Sequence, residues 1–169
     1  KGIQTSHRRK SGPDEIKTAQ LVLPQGWSWA RLEDAYDVRD GTHDTPKYVG
    51  SGVPLVTSKN LRDGKVDLSN IKFISREDHE RIAVRSSVDR GDILFAMIGS
   101  IGNPAVADGT EYSIKNVALF KPHDRQLFCS EYLFLFLTHA SEDMRVLSAG
   151  GVQSFVPLNF LRKYPIPLP

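Results

Sequence analysis

The chain has 169 residues, 40% of them hydrophobic and 25% charged, proportions near the globular average that exclude wholesale disorder and collagen-like repetition. One cysteine, Cys129, excludes an intrachain disulfide, and the apolar runs fall far short of the roughly 20 residues that span a bilayer. Net charge is +2, from 22 lysines and arginines against 20 acids, too small a balance to argue for nucleic acid by itself.

Residues 1–20 read as a polar basic arm or linker remnant. Lys1, Arg8, Arg9 and Lys10 fall in the first ten residues with no acid, so the remainder holds 18 basic against 20 acidic residues and is net −2. Phosphate contacts must therefore come from local clusters. The chain opens at Lys1 with no methionine and no apolar signal stretch, and reads as a cytoplasmic domain cut from something longer. Residues 21–169 read as a single domain that starts around Pro24-Gln-Gly-Trp27-Ser-Trp29, where two tryptophans about a turn serve as packing anchors.

Runs of β-branched and aromatic residues bounded by Gly, Pro, Asn or Asp predict strands at Val53–Thr57, Ile71–Ile74, Asp92–Met97, Ala105–Ala107 and Asn116–Phe120. Ser75, with Asp78 three residues on, predicts an N-cap and a helix over Arg76–Val84. Ser130 is expected to cap a deeply packed helix over Glu131–Thr138, with a second helical stretch at Glu142–Leu147 stopped by Gly150-Gly151. The tail from Tyr164 to Pro169 has alternate prolines and must be extended. The fold class is α+β, with a twisted, mainly antiparallel or mixed sheet and a few packed helices.

The richest polar stretch is Gly41-Thr42-His43-Asp44-Thr45-Pro46-Lys47-Tyr48. His43 and Asp44 could form an acid/base pair, but no histidine or cysteine spacing matches a metal site. Thr57-Ser58-Lys59-Asn60 ends a strand: Lys59 could hold a phosphate and Asn60 could read adenine, or the segment is an Asx-type turn. Gly99-Ser-Ile-Gly-Asn103 lacks the lysine and order of a phosphate-binding loop and reads as a tight connection. Lys115-Asn116 lies at a strand edge, and Gln153-Ser154 follows the glycine turn. Cys129 reads as a small buried side chain. These residues favour a binding module over an enzyme. A small His/Asp-dependent hydrolase or phosphoryl-transfer domain, and a protein-interaction domain without a DNA role, stay open.

Several stretches, taken in order, resemble the target-recognition domain of the DNA specificity subunit of type I restriction–modification systems. They are Leu23-Pro-Gln-Gly-Trp-Ser-Trp-Ala-Arg-Leu32, Gly41-Thr-His-Asp-Thr-Pro-Lys-Tyr48, Pro54-Leu-Val-Thr-Ser-Lys-Asn-Leu61 and Gly91-Asp-Ile-Leu-Phe-Ala-Met-Ile-Gly-Ser-Ile-Gly-Asn103. The series continues with Ser113-Ile-Lys-Asn-Val-Ala-Leu-Phe-Lys-Pro122, Gly150-Gly-Val-Gln-Ser-Phe-Val-Pro-Leu-Asn-Phe-Leu161 and Pro165-Ile-Pro-Leu-Pro169. The resemblance implies a non-catalytic domain that reads one half of a bipartite site in double-stranded DNA and directs the methylation and restriction subunits. It implies no cofactor here, since S-adenosylmethionine, ATP and Mg belong to those partners, and no membrane. The conserved helix and second recognition domain of a full subunit are not in this sequence. On this reading the DNA contacts come from Thr42, His43, Asp44, Thr45, Lys47, Tyr48, Ser58, Lys59, Asn60, Lys115, Gln153 and Ser154.

Overall fold

The structure is a computed structural model that describes residues 22–148 and 155–169. The basic arm, the Gly150-Gly151 turn, Gln153 and Ser154 lie outside the described residues.

The run Ile93–Met97 is apolar at every position because it is buried on both faces. Strand β7 (Ile93–Ala96) occupies an inner position of a four-stranded antiparallel sheet. That sheet is completed by β2 (Tyr36–Asp40), β10 (Val117–Pro122) and β8 (Gly102–Val106), in the order β2-β10-β7-β8. Period-two alternation splits the side chains between two cores. Ile93 and Phe95 join Tyr36, Phe120, Leu133 and Leu137 on one face, while Leu94 and Ala96 join Val56, Leu61, Ile114 and Leu119 on the other. Each large side chain fully buried in this way contributes roughly 1.5–3 kcal/mol.

The first core is closed by α3 (Ser130–Ser148), with α4 (Leu158–Lys163) beside it. Helix α3 lies so near β8 that a Cβ on Gly102 would fall 2.7 Å from the Ser141 hydroxyl, and the backbone there has φ +103°. The second core is closed by a mixed three-stranded sheet, β6-β3-β9, made of β3 (Val53–Val56), β6 (Lys72–Ile74) and β9 (Ser113–Ile114). A hairpin of β4 (Leu61–Arg62) and β5 (Lys65–Val66) also packs there. Helix α2 (Arg76–Ser86) flanks β9, and its cap is as expected: the Ser75 Oγ accepts from the Asp78 N–H at 3.1 Å. The proline-rich tail forms β11 (Pro165–Leu168), antiparallel to β1 (Ser28–Arg31), with the short α1 (Leu32–Ala35) leading from β1 into β2. Trp27 anchors this end, edge-on to Tyr132 at 6.0 Å.

The α+β class with antiparallel and mixed sheets agrees with the sequence reading, and so do the five expected strands within a few residues. Three details are corrected. The two helical stretches after Ser130 are one continuous helix, because Thr138–Ser141 contains no breaker and Ala140 is buried in the core. The Ser130 hydroxyl does not cap it; it donates to the Gly91 carbonyl at 2.5 Å, tying the helix start to the turn before β7. Cys129 is exposed, its thiol donating to Glu131 Oε2 at 2.9 Å, because it lies ahead of the helix and outside the apolar stripe. No helix among the described residues is long and apolar enough to cross a membrane.

Candidate nucleic-acid interface

Strand β2 ends at Asp40, and the backbone at Gly41 passes against the turn joining β9 to β10. The Gly41 N–H donates to the Val117 carbonyl and the Thr42 N–H to the Ile114 carbonyl, each at 3.0 Å. A Cβ on Gly41 would lie 2.1 Å from the Ile114 oxygen, so only glycine fits. Asn116 on the facing turn has φ +53°, a conformation asparagine tolerates better than other residues with side chains.

The polar residues of this loop are spent largely on Asp40, Asn116 and Lys115. The His43 Nε2 is 2.8 Å from Asp40 Oδ2, and its Nδ1 is 3.0 Å from Asn116 Oδ1. Asp40, 4% exposed, receives the Arg85 guanidinium on its other oxygen. The Lys115 ammonium donates to the His43 carbonyl (2.8 Å), the Asp44 carbonyl (3.1 Å) and Thr45 Oγ1 (2.9 Å). Thus His43 is paired with Asp40 and not with Asp44, and the acid/base pair weighed from the sequence is not assembled. Lys115, expected among the DNA contacts, is the tie that holds the loop. Pro46 is buried, while Asp44, Lys47 and Tyr48 face outward. The Lys47 ammonium and the Tyr48 hydroxyl make no hydrogen bond among the described residues.

Asn60 has a similar fate. It is 8% exposed, and its Oδ1 accepts from both the Thr57 N–H and the Thr57 hydroxyl at 3.0 Å. Its Nδ2 donates to the Asp67 carbonyl at 3.1 Å. The amide that could have read an adenine therefore shapes a single 3₁₀ turn, Ser58–Asn60. That turn presents Lys59 to solvent and leaves Ser58 half-buried.

The turn forms one wall of an open groove of about 530 Å³. Tyr48 forms another, brought in because the Val49 N–H bonds to the Phe73 carbonyl on β6 at 2.9 Å. The rest of the lining comes from Leu55 on β3, Arg62 on β4, Asp67, Ser69 and Asn70 on the stretch before β6, and Lys72 at its start. Arg62 Nε donates to the Lys59 carbonyl at 3.2 Å, which fixes the start of its guanidinium. The groove's one acid, Asp67, is held below the usual carboxylate range by Ser69, first through its side chain and then through its backbone N–H at 2.9 Å. Lys59, Arg62 and Lys72 outnumber it, so the groove is a local basic cluster on a body without basic excess.

Among the twelve expected contact residues, Tyr48, Ser58, Lys59 and Asn60 line the groove, and Thr42 to Lys47 form the tied loop leading to it. Arg62, Ser69, Asn70 and Lys72 were missed. One signal could have found them: Arg62-Asp63-Gly64-Lys65 carries the Asp-Gly of a two-residue hairpin. Asp63 (φ +50°) and Gly64 (φ +76°) adopt the left-handed pair that such a turn needs. No cluster of three or more His, Cys, Asp or Glu able to hold a metal occurs among the described residues.

The family described as Type I restriction modification DNA specificity domain matches residues 24–169. The Type I restriction enzyme EcoBI specificity subunit of Escherichia coli is 27% identical over 92 residues, 52% of this chain and 19% of that subunit. In fold, the chain is similar to the HsdS subunit from Thermoanaerobacter tengcongensis, with TM-score 0.66 and 21% identity over 89% of this chain and 35% of that one. A chain from a type I R-M system structure concerned with complex assembly and conformational transition gives TM-score 0.69 and 21% identity, covering 90% and 36%. The chain thus spans about a fifth of the curated relative and about a third of these solved chains.

Proposed function

The chain belongs to the family of type I restriction–modification DNA specificity domains, and from that we propose that it reads one half of a bipartite site in double-stranded DNA. In a complete subunit, acting in the cytoplasm, it would direct the methylation and restriction subunits to that site. It is a specificity domain and not an enzyme: sequence choice is its task, and the chemistry belongs to its partners.

The observation that carries this reading is the basic groove beside the tied loop. Residues 11–169 have no cationic excess, yet Lys59, Arg62 and Lys72 gather around one concave surface with a single carboxylate. Lys47, the exposed sequence neighbour of the lining residue Tyr48, adds a further cation. Phosphates are held by such a cluster, and bases are read by short polar side chains next to it. A loop tied to the fold through Asp40, Asn116 and Lys115 is stiff, which lowers the ordering cost of recognition. In this proposal Asp44, Lys47, Tyr48, Ser58 and Lys59 contact DNA, with Thr42, His43, Thr45, Asn60 and Lys115 holding them in place. Gln153 and Ser154, which lie outside the described residues, stand in the proposal as two further contacts.

The test is a fluorescence-polarisation titration of the chain with a random duplex pool at several salt concentrations. Binding that weakens linearly in log–log form is expected, with the slope falling by about 0.9 for each phosphate-holding lysine removed. Lys47→Ala and Lys59→Ala should each flatten the slope and weaken all sequences alike. Salt-independent binding, or no binding, would contradict the reading.

A further inference from the structure

Asn70 stands at the turn before β6 with its side chain exposed and no hydrogen bond to any described residue. Two other asparagines near the interface, Asn60 and Asn116, have their amides engaged by the fold. Asn70 alone of these three retains a free donor and a free acceptor on one planar group, the pair that matches the N6 and N7 edge of adenine.

Its position is well defined by its neighbours. Ser69 is held by its N–H bond to Asp67 Oδ1 at 2.9 Å, and Asp67 is joined through its backbone to Asn60 by two bonds. Two residues on, Lys72 pairs with Leu55 in the β3–β6 register, and Phe73 receives the Val49 N–H. The turn carrying Asn70 is therefore braced on both sides. Lys72 is exposed and its ammonium makes no bond among the described residues. Across the groove, Arg62 has only its Nε engaged, leaving the two terminal nitrogens free.

Resting on the reading of this domain as a DNA-reading module, we infer a division of labour in the groove. Asn70 is a specificity-determining residue that reads one base edge, and Lys72 and Arg62 hold the phosphates that flank it. A side chain without internal partners gains most from a base edge, because nothing in the fold competes for its hydrogen bonds. The lysine and arginine act as charge on a fixed frame, which sets register without reading sequence.

The experiment is selection from duplexes with a randomised centre, followed by salt titration, using the chain itself and its Asn70→Ala, Asn70→Ser and Lys72→Ala variants. Both sites are on the surface, and equal melting temperatures establish that the variants fold. Asn70→Ala should lose roughly 5- to 150-fold discrimination at one base pair of the selected motif and keep the salt slope. Asn70→Ser, which retains a smaller hydrogen-bonding group, should change the preferred base at that same position or lose it. Lys72→Ala should keep the motif and lower the slope by about 0.9. If the parent chain selects a motif and the Asn70 variants select the same one with equal stringency, the division of labour is wrong while the domain still reads DNA. If the parent chain selects nothing and shows no salt-dependent binding, the reading of the domain fails and the inference with it.

Discussion

The Lys115 ammonium lies 2.8 Å from the His43 carbonyl oxygen, 72 residues earlier in the chain. This bond, with those to Asp44 and Thr45, fastens a long polar loop to the central sheet. It turns a segment of exposed hydroxyls and charges into a fixed platform from which Lys47 and Tyr48 project.

Replacing Lys115 with methionine keeps the stem and removes the ammonium. Three acceptors then lose a charged donor, and because all three are exposed the cost to stability should be small, about 1 kcal/mol. The effect on recognition should be larger, because the loop is no longer pre-ordered. Hydrogen exchange at Thr42–Thr45 should quicken and DNA affinity fall at every sequence. Unchanged exchange would show that the backbone bonds of Gly41 and Thr42 suffice to hold the loop.

Asp92 is fully buried and densely paired. Its carboxylate takes the Lys121 ammonium, the Arg125 guanidinium at 2.6 Å and the Asp89 N–H at 2.8 Å. Asp92→Ala removes the buried carboxylate that Lys121, only 17% exposed, and Arg125 share, leaving Lys121 with Asp89 as its carboxylate partner. Breaking such a pair should cost about 3 kcal/mol, read as a lower denaturation midpoint. Asp92→Asn should cost less, since the amide oxygen still accepts. Equal midpoints for all three proteins would mean that water reaches this cluster.

Acid should weaken the fold through Asp37 and Asp89. Hydrogen bonds from Arg39 and from Lys121, respectively, hold these carboxyls below the usual carboxylate range. A carboxyl with a lower value in the folded state than in the unfolded chain adds stability above the unfolded value, about pH 4. That stability is lost as the pH falls through the folded value. Melting temperature should therefore drop on acidification below about pH 4, and the Asp37→Asn, Asp89→Asn double variant should show a shallower drop. An identical acid profile in the double variant would contradict the assignment.

What could be read from the sequence was mostly local. The Ser75 cap needs only the N–H three residues on, and β7 and β10 announce themselves as continuous apolar runs. The tail's alternate prolines forbid a helix, though not the choice of β1 as its partner. Chain-distant contacts decided the rest. Asn60 looks like a reader until the Asp67 carbonyl takes its amide, and Lys115 looks like a phosphate ligand until three loop oxygens surround it. The short strands β4 and β5 have two residues each, too few for any alternation, so Arg62 and the groove behind it stayed hidden. Only the Asp63-Gly64 turn marked them.

The central claim is that sequence choice resides in this segment, and the most direct measurement is a domain exchange. Residues 21–169 would replace one recognition domain of a complete type I specificity subunit, and methylated bases would be mapped genome-wide in cells carrying the chimera. The account predicts a change in one half of the methylated site, with the other half and the spacer between them unaltered. A stable, active chimera that methylates the parent's site in both halves would contradict it.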